Sequence, residues 1–263
     1  MVRKMLLLSA SMALAVMVVG SVALAADIQC DSNPCLGTDE NDDIVGTDSA
    51  EEIRALDGDD FIDGLDGDDT LHGDPGSDNR LFTGQGPGGI AGGNGDDTSF
   101  GGPGDDFLTD YDDTGRNNCG GFCTGRDTQR GGEGADILEG ILERDFLYGG
   151  QGSDTMSGGA GNDRMSGNRG RDSIRGEEGS DRLRGQRGND FIDATDFETP
   201  GSRDTVGCGR GRDEVLANRN DVVNRENCER VIREPNPTVA PTSEDRDSLR
   251  EKALKEFVAN NKP

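Results

Sequence analysis

The 263-residue chain is 30% hydrophobic and 4% aromatic, has no tryptophan, and carries 53 acidic against 27 basic residues for a net charge of −26. Those figures exclude a conventional apolar core, and they exclude nucleic acid as a partner, because a phosphate backbone would be repelled. Cations are the natural partners of such a chain.

Residues 1–25 read as an export signal. Arg3 and Lys4 precede an apolar run from Met5 to Val19, and Ala23-Leu24-Ala25 supplies a small-x-small cleavage pattern, so the mature chain is expected from Ala26. The run is shorter than the ~20 residues needed to cross a bilayer, so no membrane span is expected in the mature form. Residues 26–36 form an N-terminal cap segment with Cys30 and Cys35. All six cysteines lie beyond the signal in close pairs: Cys30 with Cys35, Cys119 with Cys123, Cys208 with Cys228. That usage suits an oxidising, extracellular compartment, and local pairing is the preferred connectivity. Zinc is the alternative, disfavoured because the single histidine, His72, is far in sequence from every pair.

Residues 37–108 form a first repeat block. Asp42, Glu51, Asp60, Asp69 and Asp78 stand nine apart, with Ile44, Ile53, Ile62 and Leu71 two residues after the first four. The apolar column fails at Arg80, the register slips by one residue, and it resumes as GGNGDDTSF and GGPGDDFLT, which place Asp97 and Asp106. Residues 109–130 break the pattern and read as a loop between two blocks of one solenoid.

Residues 131–193 restore the register: GGEGADILE, GILERDFLY, GGQGSDTMS, GGAGNDRMS, GNRGRDSIR, GEEGSDRLR, GQRGNDFID. The sixth position is always Asp, at 136, 145, 154, 163, 172, 181 and 190. The eighth is always Leu, Met or Ile. Residues 194–233 keep a trace of the period at Asp204, Asp213 and Asp221 and read as a terminal cap stapled by Cys208 and Cys228. Residues 234–263 are a proline-containing linker and flexible tail, in which Leu249, Leu254, Phe257 and Val258 could share one side of a short helix.

Each nine has two physical halves. A glycine-rich six supplies a tight turn, and an x-apolar-x triplet is long enough for a short strand with one side chain turned inward. Two units make a coil of eighteen residues, so Asp136, Asp154, Asp172 and Asp190 should line one edge and Asp145, Asp163 and Asp181 the other. The expected fold is all-β, a right-handed parallel β-roll with facing sheets.

One buried aliphatic side chain per nine ordered residues offsets little of the conformational entropy lost, and carboxylates stacked along an edge repel one another. A hard divalent cation between turns would reverse that repulsion. Carboxylate oxygens and backbone carbonyls in flexible geometry suit calcium better than magnesium.

GGNGDD, GGPGDD, GGQGSDTMS and GGAGNDRMS resemble the GGxGxDxUx nonapeptides of the RTX, or haemolysin-type, calcium-binding repeat proteins. The resemblance implies several calcium ions between stacked coils, held by the sixth-position aspartate and glycine-turn carbonyls, with folding dependent on calcium. It nominates as ligands Asp60, Asp69, Asp78, Asp97, Asp106, Asp136, Asp154, Asp163, Asp172, Asp181 and Asp190. Asp145 is set aside, because Ile141 and Glu143 replace glycines in its turn.

Many family members carry a catalytic domain beside the repeats. Here there is no HExxH or GxSxG motif, and the expectation is a secreted, non-catalytic protein. The alternative is an adhesin or matrix component that binds a cell surface or polysaccharide, with calcium only structural.

Overall fold

The structure, a computed structural model, describes residues 26–31, 33–78, 80–110, 124–196, 202–224 and 228–234. The expected signal segment, the Cys119–Cys123 pair and the tail helix lie outside these residues. The described residues hold twenty-two strands, from β1 (Ala26–Gln29) to β22 (Arg230–Glu234), and no helix. Odd-numbered strands form one eleven-stranded sheet and even-numbered strands the other. All pairings in both are parallel, so the chain climbs one rung per coil for about ten turns.

Strands such as β14 (Thr155–Gly161) and β16 (Ser173–Gly179) run seven residues, past the expected triplet and on through the glycines. In a triplet such as Thr155-Met156-Ser157 only the middle residue faces inward, and the following glycines carry the chain around the bend. Ile62, Leu81, Leu147 and Leu183 from the first sheet meet Ile53, Leu71, Leu138 and Ile174 from the second in one continuous core. Each is fully buried.

Three sequence expectations are revised. The apolar column does not fail near Arg80: one extra residue precedes Leu81, which turns inward, and the coil from Asp78 to Asp97 takes nineteen residues. The two blocks are directly stacked. Strand β9 (Thr98–Pro103) pairs with β11 (Thr128–Glu133), and β10 (Phe107–Thr109) pairs with β12 (Ile137–Glu139). Thr109 and Thr128–Arg130, assigned to the loop by sequence, therefore belong to the sheets. Third, the core column is not apolar throughout, for Ser99 and Gln129 occupy consecutive inward rungs of the first sheet.

Both ends are pinned. Cys30 and Cys35 are bonded across the first bend, and Cys208 is bonded to Cys228 at the last coil. The first bond ties the terminal strands β1 and β2 (Cys35–Leu36) to each other, and the second ties the residues leading into β22 to β19 (Thr205–Arg210).

Candidate metal centres along two aspartate ladders

The sixth-position aspartates are inside the roll at its two bends. Along one bend the Oδ1 of Asp60 accepts the backbone N–H of Asp42 at 2.7 Å, Asp78 accepts that of Asp60 at 2.9 Å, and Asp97 that of Asp78 at 2.8 Å. The chain of bonds continues through Asp127, Asp145, Asp163, Asp181, Asp204 and Asp221. Along the other bend Asp69 accepts from Glu51. After a gap at Gly88, Asp106, Asp136, Asp154, Asp172, Asp190 and Asp213 each accept from the coil before, and Glu229 ends the row. Most steps span eighteen residues, so one carboxylate oxygen per repeat is a structural fastener between coils.

The other oxygen has no such role. Oδ2 of Asp60, Asp69, Asp78, Asp97, Asp106, Asp136, Asp154, Asp163, Asp172, Asp181 and Asp190, all the aspartates nominated from sequence, is buried without a hydrogen-bond partner. The same holds for Asp127, Asp145, Asp204 and Asp213, which sequence reasoning left out. Such a buried acceptor costs roughly 1–3 kcal/mol, and more when charged, unless something donates to it or coordinates it.

Oδ2 faces the first glycine of its own repeat. A Cβ on Gly92 would lie 2.7 Å from Oδ2 of Asp97, and one on Gly149 would overlap Oδ2 of Asp154. The same space is bounded from the next coil by a carbonyl: 2.7 Å to Gly149 O from a Cβ on Gly131, and 2.8 Å to Gly176 O from one on Gly158. Carboxylate and carbonyl oxygens from two coils thus converge on a cradle that a side chain would fill. The polar atoms nearest to it are carboxylate and carbonyl oxygens, the donor type that calcium takes.

Asp145 stands in its ladder like its neighbours. Ile141 and Glu143 adopt φ of 74° and 71°, and so take the left-handed turn that glycines make elsewhere. The strain of a β-branched residue there is borne by pairing, since the Ala160 N–H donates to Ile141 O at 2.9 Å. Asp42 and Glu51, at the open end, differ: Thr38 and Thr47 donate to their carboxylates.

Burial, opposed by the backbone N–H bond and reinforced by the neighbouring aspartate charge, pushes the carboxyls upward. Asp60 and Asp154 reach about 6, Asp78, Asp172 and Asp190 about 7, Asp97 about 8 and Asp145 about 9. Ionising a carboxyl raised from 3.8 to 6 costs ~3 kcal/mol at ~1.4 kcal/mol per pH unit. A cation between the rungs would remove that cost.

The family model for the RTX calcium-binding nonapeptide repeat matches in four copies, over residues 45–79, 90–114, 130–165 and 157–192. The chain is an RTX repeat protein. The matches fall inside the solenoid, and the ladders extend past them in both directions, to Asp42 and to Glu229. No curated protein matches the chain. Each of the nominated aspartates thus has one oxygen fastened to the backbone and one buried without a hydrogen-bond partner.

Proposed function

We propose that this RTX protein is a secreted, non-catalytic calcium binder whose roll sets when calcium enters the cradles between coils. The ligands are Oδ2 of Asp60, Asp69, Asp78, Asp97, Asp106, Asp136, Asp154, Asp163, Asp172, Asp181 and Asp190, joined by Asp127, Asp145, Asp204 and Asp213, with carbonyls of the first-position glycines. The observation that carries this is the repeated buried Oδ2 with no donor. When bound, calcium supplies charge neutralisation and cross-links adjacent coils; the chain supplies the fasteners that hold the oxygens in place. The N-terminal pattern at residues 1–25 and the disulfides support export to an oxidising, calcium-rich compartment, where sites with Kd of roughly 10⁻⁴–10⁻³ M would fill. The single histidine, His72, is buried in a strand, which speaks against acid–base chemistry on the surface.

Isothermal titration of the chelator-stripped chain with calcium tests the reading. Several ions per chain, with heat that disappears when ladder aspartates are changed to asparagine, would support it. Saturation without binding in the millimolar range would end it.

A second reading, adhesion to an acidic glycan, is favoured by one surface feature. A groove beside Asp163 and Asp181 is lined by Arg144, Arg164, Arg182 and Arg203, and Arg144 and Arg164 both stack on Phe146 at 5.2 and 5.5 Å. Four guanidiniums on so acidic a chain would hold sulfate or carboxylate groups. Retention on a sulfated polysaccharide at fixed calcium, lost in R164A/R182A, would support it.

A further inference from the structure

The regular ladder offers one carboxylate per rung, and at one level it is different. The longest step in the ladder runs from Asp97 to Asp127, thirty residues, and at that level an aspartate outside the repeat position enters the interior. Asp110 directly follows β10. Thr109 pairs with Ala91 in the coil before and with Glu139 in the coil after, so Asp110 occupies the place held there by Gly92 and Gly140. At both of those glycines a Cβ would collide with an aspartate Oδ2. A position that is glycine in the coils on either side here carries a carboxylate.

That carboxylate is 1% exposed, and neither of its oxygens makes a well-formed hydrogen bond, the Gly93 N–H being the one donor set against it. It lies with oxygens of Asp97 and Asp127 in a group whose members are all within 4.8 Å of one another. Oδ2 of Asp97 and Oδ2 of Asp127 are likewise buried and unpartnered. Arg126, next to Asp127 in sequence, is engaged outside by Asp96 at 2.8 Å. The two polar core rungs, Ser99 and Gln129, follow Asp97 and Asp127 by two residues, and Gln129 Oε1 is a further buried oxygen without a partner. Polarity is concentrated at this level of an otherwise aliphatic column.

A second trio, Asp196, Asp204 and Asp221, is grouped as closely, but its carboxylates are largely occupied. Asp196 accepts from Gly179 N and Ser202 Oγ, and Asp221 accepts from Asp204 N and Asn218 N.

We infer that Asp97, Asp110 and Asp127 form a three-carboxylate calcium site at the junction of the two repeat blocks, in which Asp110 adds a carboxylate to two ladder aspartates, and that this site is filled before the other repeat sites. The inference rests on the calcium reading above and adds a ligand, Asp110, that the nonapeptide pattern does not contain. Affinity in oxygen-donor sites rises with the number of charged ligands, so the junction ion should bind at least about tenfold more tightly than the repeat ions. Sitting where a thirty-residue excursion must be closed, it would fix the stacking of the second block on the first.

The test is calcium calorimetry on the full chain stripped with chelator, at pH 7.5. The wild type should bind one ion per chain ahead of a larger, weaker class. Asp110→Asn should weaken that one ion by about tenfold or more and leave the weaker class in place. Asp110→Gly restores the glycine of the column and guards against a folding defect: it should lose the tight ion while keeping the far-UV circular dichroism of the wild type at saturating calcium. Asp172→Asn, in the other ladder, should diminish only the weaker class. If the wild type has a single uniform class, or if the tight ion survives both Asp110 changes, the junction site is wrong, while the repeat sites stand. If no calcium binds in any form, the calcium reading falls and takes the junction with it.

Discussion

Replacing Asp154 by asparagine should change stability in opposite directions with and without calcium. Asparagine keeps an oxygen to accept the Asp136 N–H, a bond of 3.1 Å, so the fastener between coils survives. What changes is the second position, where an unpartnered oxyanion becomes an amide. Without metal at pH 8 the carboxyl, raised to about 6, is ionised at a cost of ~3 kcal/mol. The amide donor faces the Gly149 cradle and recovers only part of that, so the chelated variant should gain about 1–2 kcal/mol after ~1–2 kcal/mol for an imperfectly paired buried group. In calcium the same change removes a ligand, and the variant should lose at least as much. Urea unfolding followed by circular dichroism, in EDTA and in millimolar calcium, reads both signs. A loss of similar size in both conditions would show that Oδ2 is a neutral structural acceptor, and the metal argument would fail.

Three further outcomes follow from the same geometry. In chelator the roll should be most stable below about pH 4 and weaken as pH climbs through about 6–9, because folded carboxyls raised above their unfolded value of 3.8 favour the protonated, folded state, and that stability is lost as they ionise. Melting in EDTA at pH 5 and pH 8 checks the sign, and calcium should reverse it. Gly149→Ala places a Cβ against Oδ2 of Asp154 and should cost about 1–3 kcal/mol in urea titration; Gly207→Ala, with nothing near its Cβ, should be neutral. Removing the Cys208–Cys228 bond should cost ~2–5 kcal/mol and raise amide exchange first in the paired strands Glu214–Asn218 and Arg230–Glu234.

The parts of this fold that depend on periodicity were open to reading from the chain. Asp at every sixth and an aliphatic at every eighth position of seven nines specify a turn, a three-residue strand and a two-edged stack, and the observed eighteen-residue hydrogen bonds repeat that spacing. What sequence could not show depends on stacking between distant coils. Asp127 stands nine residues before Asp136 with Gly125 in its turn, so the register of the second block runs back to it; polar Gln129 in the apolar position and the thirty-residue step to Asp97 mask that signal in the sequence. Asp145 looks compromised in the sequence because Ile141 and Glu143 are poor left-handed residues, yet both hold the left-handed turn and the segment pairs with Ala160 of the next coil. Asp110 carries no motif at all. Nine residues after Gly101 it stands where the printed nines open on glycine, but that it lies beside Asp97 and Asp127 is visible only when coils are superposed. The division of each carboxylate into a fastened and an unpartnered oxygen was equally hidden, because residue identity gives no side-chain orientation.

The most direct trial is a circular dichroism and melting comparison of the chain from Ala26 onward at pH 8, first in EDTA and then in millimolar calcium. Calcium should produce the parallel-β signal and a cooperative melt that are weak or missing in chelator. Identical spectra and melting temperatures in the two buffers would mean that the ladders carry their charges unaided, contrary to everything argued from their unpartnered oxygens.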